Sequence, residues 1–76
     1  MIVDFMNAKE LGRALVRRRK ALGMTQAELA DLAECSKPSV VAAEAGKPTL
    51  RLSILLALAD TLGLELTLQP IRRDGA

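Results

Sequence analysis

Apolar residues recur near the start of the chain at helical spacing, with Leu11, Leu15 and Leu22 in one stripe that Arg18 interrupts. Intervals of four, three and four predict a helix over about residues 8–22, and Gly23 supplies the stop just past its cap. Thr25 then stands three positions before Glu28, the spacing of a capping box in which side chain and backbone satisfy each other's free groups. The helix it starts runs to about Ala33, with Leu29, Ala30 and Ala33 toward the core and Glu28, Asp31 and Glu34 toward water. Ser36 caps a third helix and Pro38 lies in its first turn, where amides have no intrahelical partner to lose. Gly46 ends it. Only Glu34 and Cys35 remain to make the turn between the second and third helices, so the two must cross rather than run as a long hairpin.

After Lys47-Pro48-Thr49, a fourth helix is expected from about Arg51 to Leu62, with Leu52, Leu55, Leu56, Ala59 and Leu62 facing the core and Gly63 as its stop. The period then changes. Leu64-Glu65-Leu66-Thr67-Leu68-Gln69 alternates apolar and polar residues up to Pro70, which reads as a strand with one oily face. No other segment alternates comparably, and an unpaired edge with three leucines would be a liability. One expectation is that two copies pair this strand across a twofold axis, placing Leu64, Leu66 and Leu68 in a homodimer contact. The other is a flexible tail folded back on the core. The chain thus divides into an N-terminal arm (1–7), a helical domain (8–63), a dimerisation strand (64–70) and a flexible tail (71–76). Arg72 and Arg73 lie in that tail, which reads either as a frayed terminus or as a partner-binding segment.

Composition narrows the chemistry. At 76 residues the chain is one domain, of a size at which a second subunit often supplies missing burial. Half of its residues are hydrophobic but Phe5 is the single aromatic, so the core is built from Leu, Val, Ile and Ala, which favours an all-α class. With no histidine and one cysteine, the chain forms no intramolecular disulfide, no Cys/His zinc site and no histidine-based triad; neither catalytic residues, nor a metal, nor a cofactor is expected. Cys35 reads as a small buried residue, with a redox switch as the alternative. No segment approaches the ~20 apolar residues of a membrane span, and the start of the chain lacks a signal peptide's pattern, so a cytoplasmic, nucleoid-associated protein is expected. The net charge of +2 is modest. Its distribution is less so, because Arg13, Arg17, Arg18, Arg19 and Lys20 crowd the first helix.

Two short capped helices about a tight turn are the grammar of a helix-turn-helix. Thr25-Gln26-x-x-Leu29-Ala30, Ser36-x-x-x-Val40 and Glu44-x-Gly46 together resemble the Xre/Cro-type domains of phage repressors and bacterial regulators, over about residues 11–63. Gly46-Lys47-Pro48-Thr49 followed by Leu62-Gly63-Leu64-Glu65-Leu66 resembles the narrower HipB-like antitoxin group. The resemblance implies a four- to five-helix lambda-repressor-like domain, a dimer completed by the C-terminal strand, binding to double-stranded operator DNA, and a HipA-like kinase toxin as a second partner. It also implies a structural ion pair between Arg19 and Glu44.

In such a domain the start of the third helix enters the major groove while the amino end of the second approaches phosphate. Thr25 and Gln26 become backbone contacts, with the Gln26 amide bridging phosphate and the neighbouring helix. Lys37 and Pro38 open the reading helix; Lys37 can donate to guanine, and Ser39 can meet phosphate or a base edge. Lys47, Arg17 and Arg18 are candidate phosphate contacts. Val41 and Ala42 depart from the polar pattern of many relatives, since neither can hydrogen-bond a base. Readout by DNA shape, a face turned over to a protein partner, and a retained fold with weak DNA affinity are all compatible with that departure. A lone regulator and a protein-interaction module are the alternatives to an antitoxin; an enzyme is not expected.

Overall fold

A computed structural model describes residues 7–70, which form four helices: α1 (Ala8–Ala21), α2 (Gln26–Ala33), α3 (Lys37–Glu44) and α4 (Leu52–Thr61). The all-α class is that expected. Residues 1–6 of the arm and the whole segment 71–76, with Arg72 and Arg73, lie outside the described residues.

Local chemistry sets most helix ends. The Asn7 side chain accepts from the Glu10 amide to start α1. At α2, Thr25 Oγ1 accepts from the Glu28 amide and the Thr25 amide donates to Glu28 Oε1, each at 3.0 Å, which closes the capping box. Ser36 Oγ accepts from the Ser39 amide at the start of α3. Between α2 and α3 the backbone turns at Glu34, whose φ of 56° is left-handed, and the Cys35 amide donates back to the Ala30 carbonyl. No glycine serves this turn. α4 has no side-chain cap at its start. At its far end Arg18 Nε donates to the Leu62 carbonyl at 2.8 Å, so a cation from α1 meets the carbonyl end of α4, where the helix dipole favours it.

All four helices contribute to one core. Leu15, Leu29, Val40, Leu58 and Leu62 are its largest fully buried side chains. Burying each of these stabilises the fold by roughly 1.5–3 kcal/mol relative to exposure. Two glycines permit backbone approaches that a side chain would block. A Cβ on Gly12, mid-way along α1, would lie 2.5 Å from the Glu44 carbonyl oxygen and 2.8 Å from that of Ala43. A Cβ on Gly46 would lie 2.6 Å from Lys9 Cα, and Gly46 also takes a φ of 75° that ends α3. The two ends of α3 are therefore fixed differently: its start by a hydroxyl cap, its finish by direct contact with α1.

Several expectations require correction. Leu55, Ala59 and Leu62 face the core as expected, but Leu52 and Leu56 are 66% and 48% exposed, and Leu58 and Ile54 pack inward in their place. Only Ser53, Asp60 and Thr61 of α4 are polar, so amphipathicity barely constrains which side faces inward. Leu22 is exposed as well, because α1 turns Ala14, Leu15 and Arg19 to the core and its C-cap falls at the surface. Residues 64–70 form no strand within the chain. Leu64 packs against the core and Leu66 is half-buried, while Leu68 is fully exposed. A ladder needs a neighbouring strand, and among the described residues there is none to pair with.

Candidate nucleic-acid interface

The site begins with a polar clamp that orients α3. Arg19 projects from the last turn of α1 and Glu44 from the last turn of α3. Arg19 Nε donates to Glu44 Oε2 at 2.6 Å and Arg19 Nη2 to Glu44 Oε1 at 3.0 Å, a two-pronged contact matched to the planar fork of the guanidinium. Its remaining nitrogen, Nη1, donates to the Met24 carbonyl at 2.9 Å in the α1–α2 connection. Gln26 Nε2, from the first turn of α2, donates to Glu44 Oε1 at 2.9 Å. One carboxylate thus gathers side chains from α1, α2 and α3.

The pair is nearly dry, with side-chain exposures of 10% for Arg19 and 6% for Glu44. The hydrogen bond to Glu44 raises the Arg19 pKa above its ordinary value; burial opposes this and the carboxylate's charge adds to it. Arg19 therefore stays charged at any pH at which the protein is handled. No buried side-chain nitrogen or oxygen among the described residues lacks a partner. That complete satisfaction lets a buried ion pair persist where a half-made one would not.

With α3 held at its far end, its outer face presents a shallow depression of about 780 Å³ that runs from the start of the helix to the residues just past its end. Lys37 and Lys47 flank it, Pro38, Val41, Ala42 and Pro48 make much of its floor, and no carboxylate lines it. A second depression on the same side adds Ser39 and Arg51, again without an acid. Glu44, the acidic residue of α3, is turned away into the clamp. The surface is consequently cationic at its edges and apolar at its centre.

The other candidate residues sort by what already engages them. Lys37, Lys47 and Arg17 are exposed. The Ser39 hydroxyl lies 2.9 Å from that of Ser36, so it is shared with the cap of α3. The Thr25 hydroxyl oxygen accepts within the capping box, and the Gln26 amide nitrogen is directed at Glu44. Arg18, a candidate phosphate contact by sequence, spends its Nε on the Leu62 carbonyl. Val40 and Ala43 are buried whereas Val41 is 44% exposed, so the helix divides cleanly into a core side and an outer side. Thr25, Gln26, Lys37, Pro38, Ser39, Val41, Ala42 and Lys47 thus belong to one α2–turn–α3 unit, with Arg17 contributed separately by α1.

Reading the sequence missed the roles of Gly12, Arg18 and Pro48. A glycine inside an otherwise regular helical pattern was the available signal for the first, since such a residue often marks a close approach. Nothing local signals the Arg18 contact, whose acceptor lies 44 residues away. Cys35 is partly buried beside the core, and burial raises its pKa, which disfavours the reactive thiolate. Among the described residues no cluster of acidic or cysteine side chains is arranged to hold a metal ion, and no helix is long and apolar enough to cross a membrane.

A family model described as a helix-turn-helix domain matches residues 10–70. No curated protein matches the chain. Among solved structures, the chain is similar to one in a "HipB-O4 20mer complex", with a TM-score of 0.82, 22% identity, and 91% of this chain and 97% of that chain covered. It is similar to one in a "HipA-HipB-O2-O3 complex", with a TM-score of 0.83, 22% identity and the same coverages of 91% and 97%. It also resembles one described as "MDT Protein", at a TM-score of 0.81 and 23% identity over 91% and 97% of the two chains. At such identities the likeness is one of fold, and it extends over nearly the full length of each neighbour.

Proposed function

This chain belongs to the helix-turn-helix domain family, and from that premise we propose that it is a homodimeric, sequence-specific repressor that binds palindromic operator DNA and serves as the antitoxin of a HipA-like kinase toxin. The observation that carries the DNA reading is the carboxylate-free outer face of α3, flanked by Lys37 and Lys47. A phosphate backbone approaching that face meets positive charge on both sides, while Thr25 and Gln26 stand at the amino end of α2, where free amides favour an anion. Arg17 extends the positive charge along α1. In a twofold dimer the two reading helices would address half-sites about one helical turn apart, ~34 Å.

The dimer reading is supported by apolar surface that a lone copy leaves in water. Leu68 is fully exposed and Leu66 half-buried on the alternating segment 64–69, and Leu52 and Leu56 lie one turn apart on the outside of α4. A second copy pairing its own residues 64–69 would supply the missing ladder and cover Leu64, Leu66 and Leu68. The antitoxin reading is supported by structural neighbours that include a chain of a "HipA-HipB-O2-O3 complex".

Three measurements test this in turn. Mobility shift of a duplex pool across salt concentrations should give log K falling linearly with log salt, with a slope of about −0.9 per phosphate neutralised, and a shallower slope for Lys47→Ala. Sedimentation equilibrium should give a dimer that deletion of residues 64–69 converts to a monomer. Tagged purification from the native cell should retain a kinase. Retained duplex without a kinase would reduce the reading to a lone regulator; a retained protein without duplex binding would make the domain an interaction module.

A further inference from the structure

The apolar centre of the α3 face bears on how a sequence would be recognised, a question that presupposes the DNA-binding reading above. Val41 and Ala42 are successive residues on the side of α3 opposite the buried Val40 and Ala43, and they share the depression with Pro38. Several polar groups near them are already engaged. The Ser39 hydroxyl is shared with Ser36, the Gln26 amide nitrogen donates to Glu44, and the Glu44 carboxylate is held by Arg19. Lys37, at the entrance of α3, is exposed, and one hydroxyl proton of the Ser36–Ser39 pair is not used between them.

The base edges of the major groove offer hydrogen-bonding groups and one apolar feature, the C5-methyl group of thymine. A face whose floor is apolar and whose cations are Lys37 and Lys47 matches the second feature better than the first. The flanking lysines, with no carboxylate between them, fit a duplex whose phosphates border the groove on both sides. We propose that α3 reads its half-site chiefly by packing Val41 and Ala42 against thymine C5-methyl groups, with Lys37 making the hydrogen-bonded base contact. Val41 and Ala42 are then specificity-determining residues. The apolar side chains at these positions select for thymine steps in place of the bidentate base contacts that Asn, Gln or Arg would make.

Deoxyuridine provides the direct test, because it removes the methyl group and leaves the base-pairing edge unchanged. Duplexes are first selected from a randomised pool by the full-length chain, and the enriched duplex is resynthesised with each thymine singly replaced by deoxyuridine. Kd should rise about fourfold for each contacted methyl lost, at one or two positions per half-site and not at flanking thymines. Val41→Ala, which shortens the apolar side chain, should shrink the penalty at one of those positions and leave the other in place. This variant should retain the fold, since Val41 is 44% exposed and alanine is the better helix former; circular dichroism checks that. Equal affinity with deoxyuridine at every position would overturn methyl readout while leaving DNA binding intact. Failure to enrich or retain any duplex at low salt would overturn the DNA reading and this inference together, and would assign the apolar face to a protein partner.

Discussion

Replacing Arg19 by alanine would remove three hydrogen bonds from the junction of α1, α2 and α3, yet leave the Glu44 carboxylate in place. Glu44 is 6% exposed and would keep only the single bond from Gln26 Nε2, while the Met24 carbonyl would lose its side-chain donor. Stranding a buried charge in this way costs about 3–5 kcal/mol, even though the intact pair need contribute little net stability. A domain of this size has a total of only about 4–11 kcal/mol to lose. In a chain of about 60–100 residues each kcal/mol shifts Tm by about 4–8 °C, so Arg19→Ala should lower it by about 12 °C or more. Arg17→Ala, two residues earlier on the exposed side of the same helix, should change stability by no more than about 0.5 kcal/mol. Thermal and urea melts followed by far-ultraviolet circular dichroism, at one protomer concentration, measure both. The double variant Arg19→Ala/Glu44→Ala should be more stable than the sum of the two single losses predicts, by about 1–3 kcal/mol, because it leaves no orphaned charge. Equal losses for Arg19→Ala and Arg17→Ala, or strict additivity in the double variant, would refute the shielded clamp.

Gly12→Ala should destabilise by about 1–2 kcal/mol despite alanine's higher helix propensity, because the added Cβ meets two backbone carbonyls that cannot rotate away; a gain in urea midpoint would contradict that close approach. Glu28 has its pKa lowered first by the Thr25 backbone bond and then by the Thr25 hydroxyl. Its contribution to stability is therefore present above the unfolded value near 4.5 and is lost as pH falls through the lower folded value. Glu28→Gln should accordingly lose stability at neutral pH and show a shallower decline into acid, and parallel pH profiles for the two proteins would count against the capping box. The Cys35 thiol, its pKa raised by burial, should react with iodoacetamide at about pH 8 several-fold more slowly in the folded protein than in urea. Equal rates would restore the redox-switch reading of this residue.

The features legible in the sequence are those decided within a few residues of themselves. Thr25 with Glu28, Ser36 with Pro38, and the glycines at 23, 46 and 63 announce helix ends through local hydrogen bonding and backbone freedom, and together with the apolar spacing they lead to all four helices. Lys37 and Val41 could be placed on the outer side of α3 because Val40 and Ala43 carry the core pattern on the other side, with Lys47 just past its end. Arg19 and Glu44 were joined by family resemblance; no spacing rule links residues 25 apart. The tertiary structure decided how α4 is turned, since a helix that is apolar almost all round is oriented by the surfaces it meets: Ala59 and Leu62 face inward as its pattern suggested, but packing selected Leu58 over Leu52 and Leu56. Packing also revealed why Gly12 is small and where Arg18 goes, both matters of distant backbone carbonyls. Segment 64–69 shows the division most plainly: its alternation is written in the sequence, but a strand's hydrogen bonds belong to its neighbour, and among the described residues there is none.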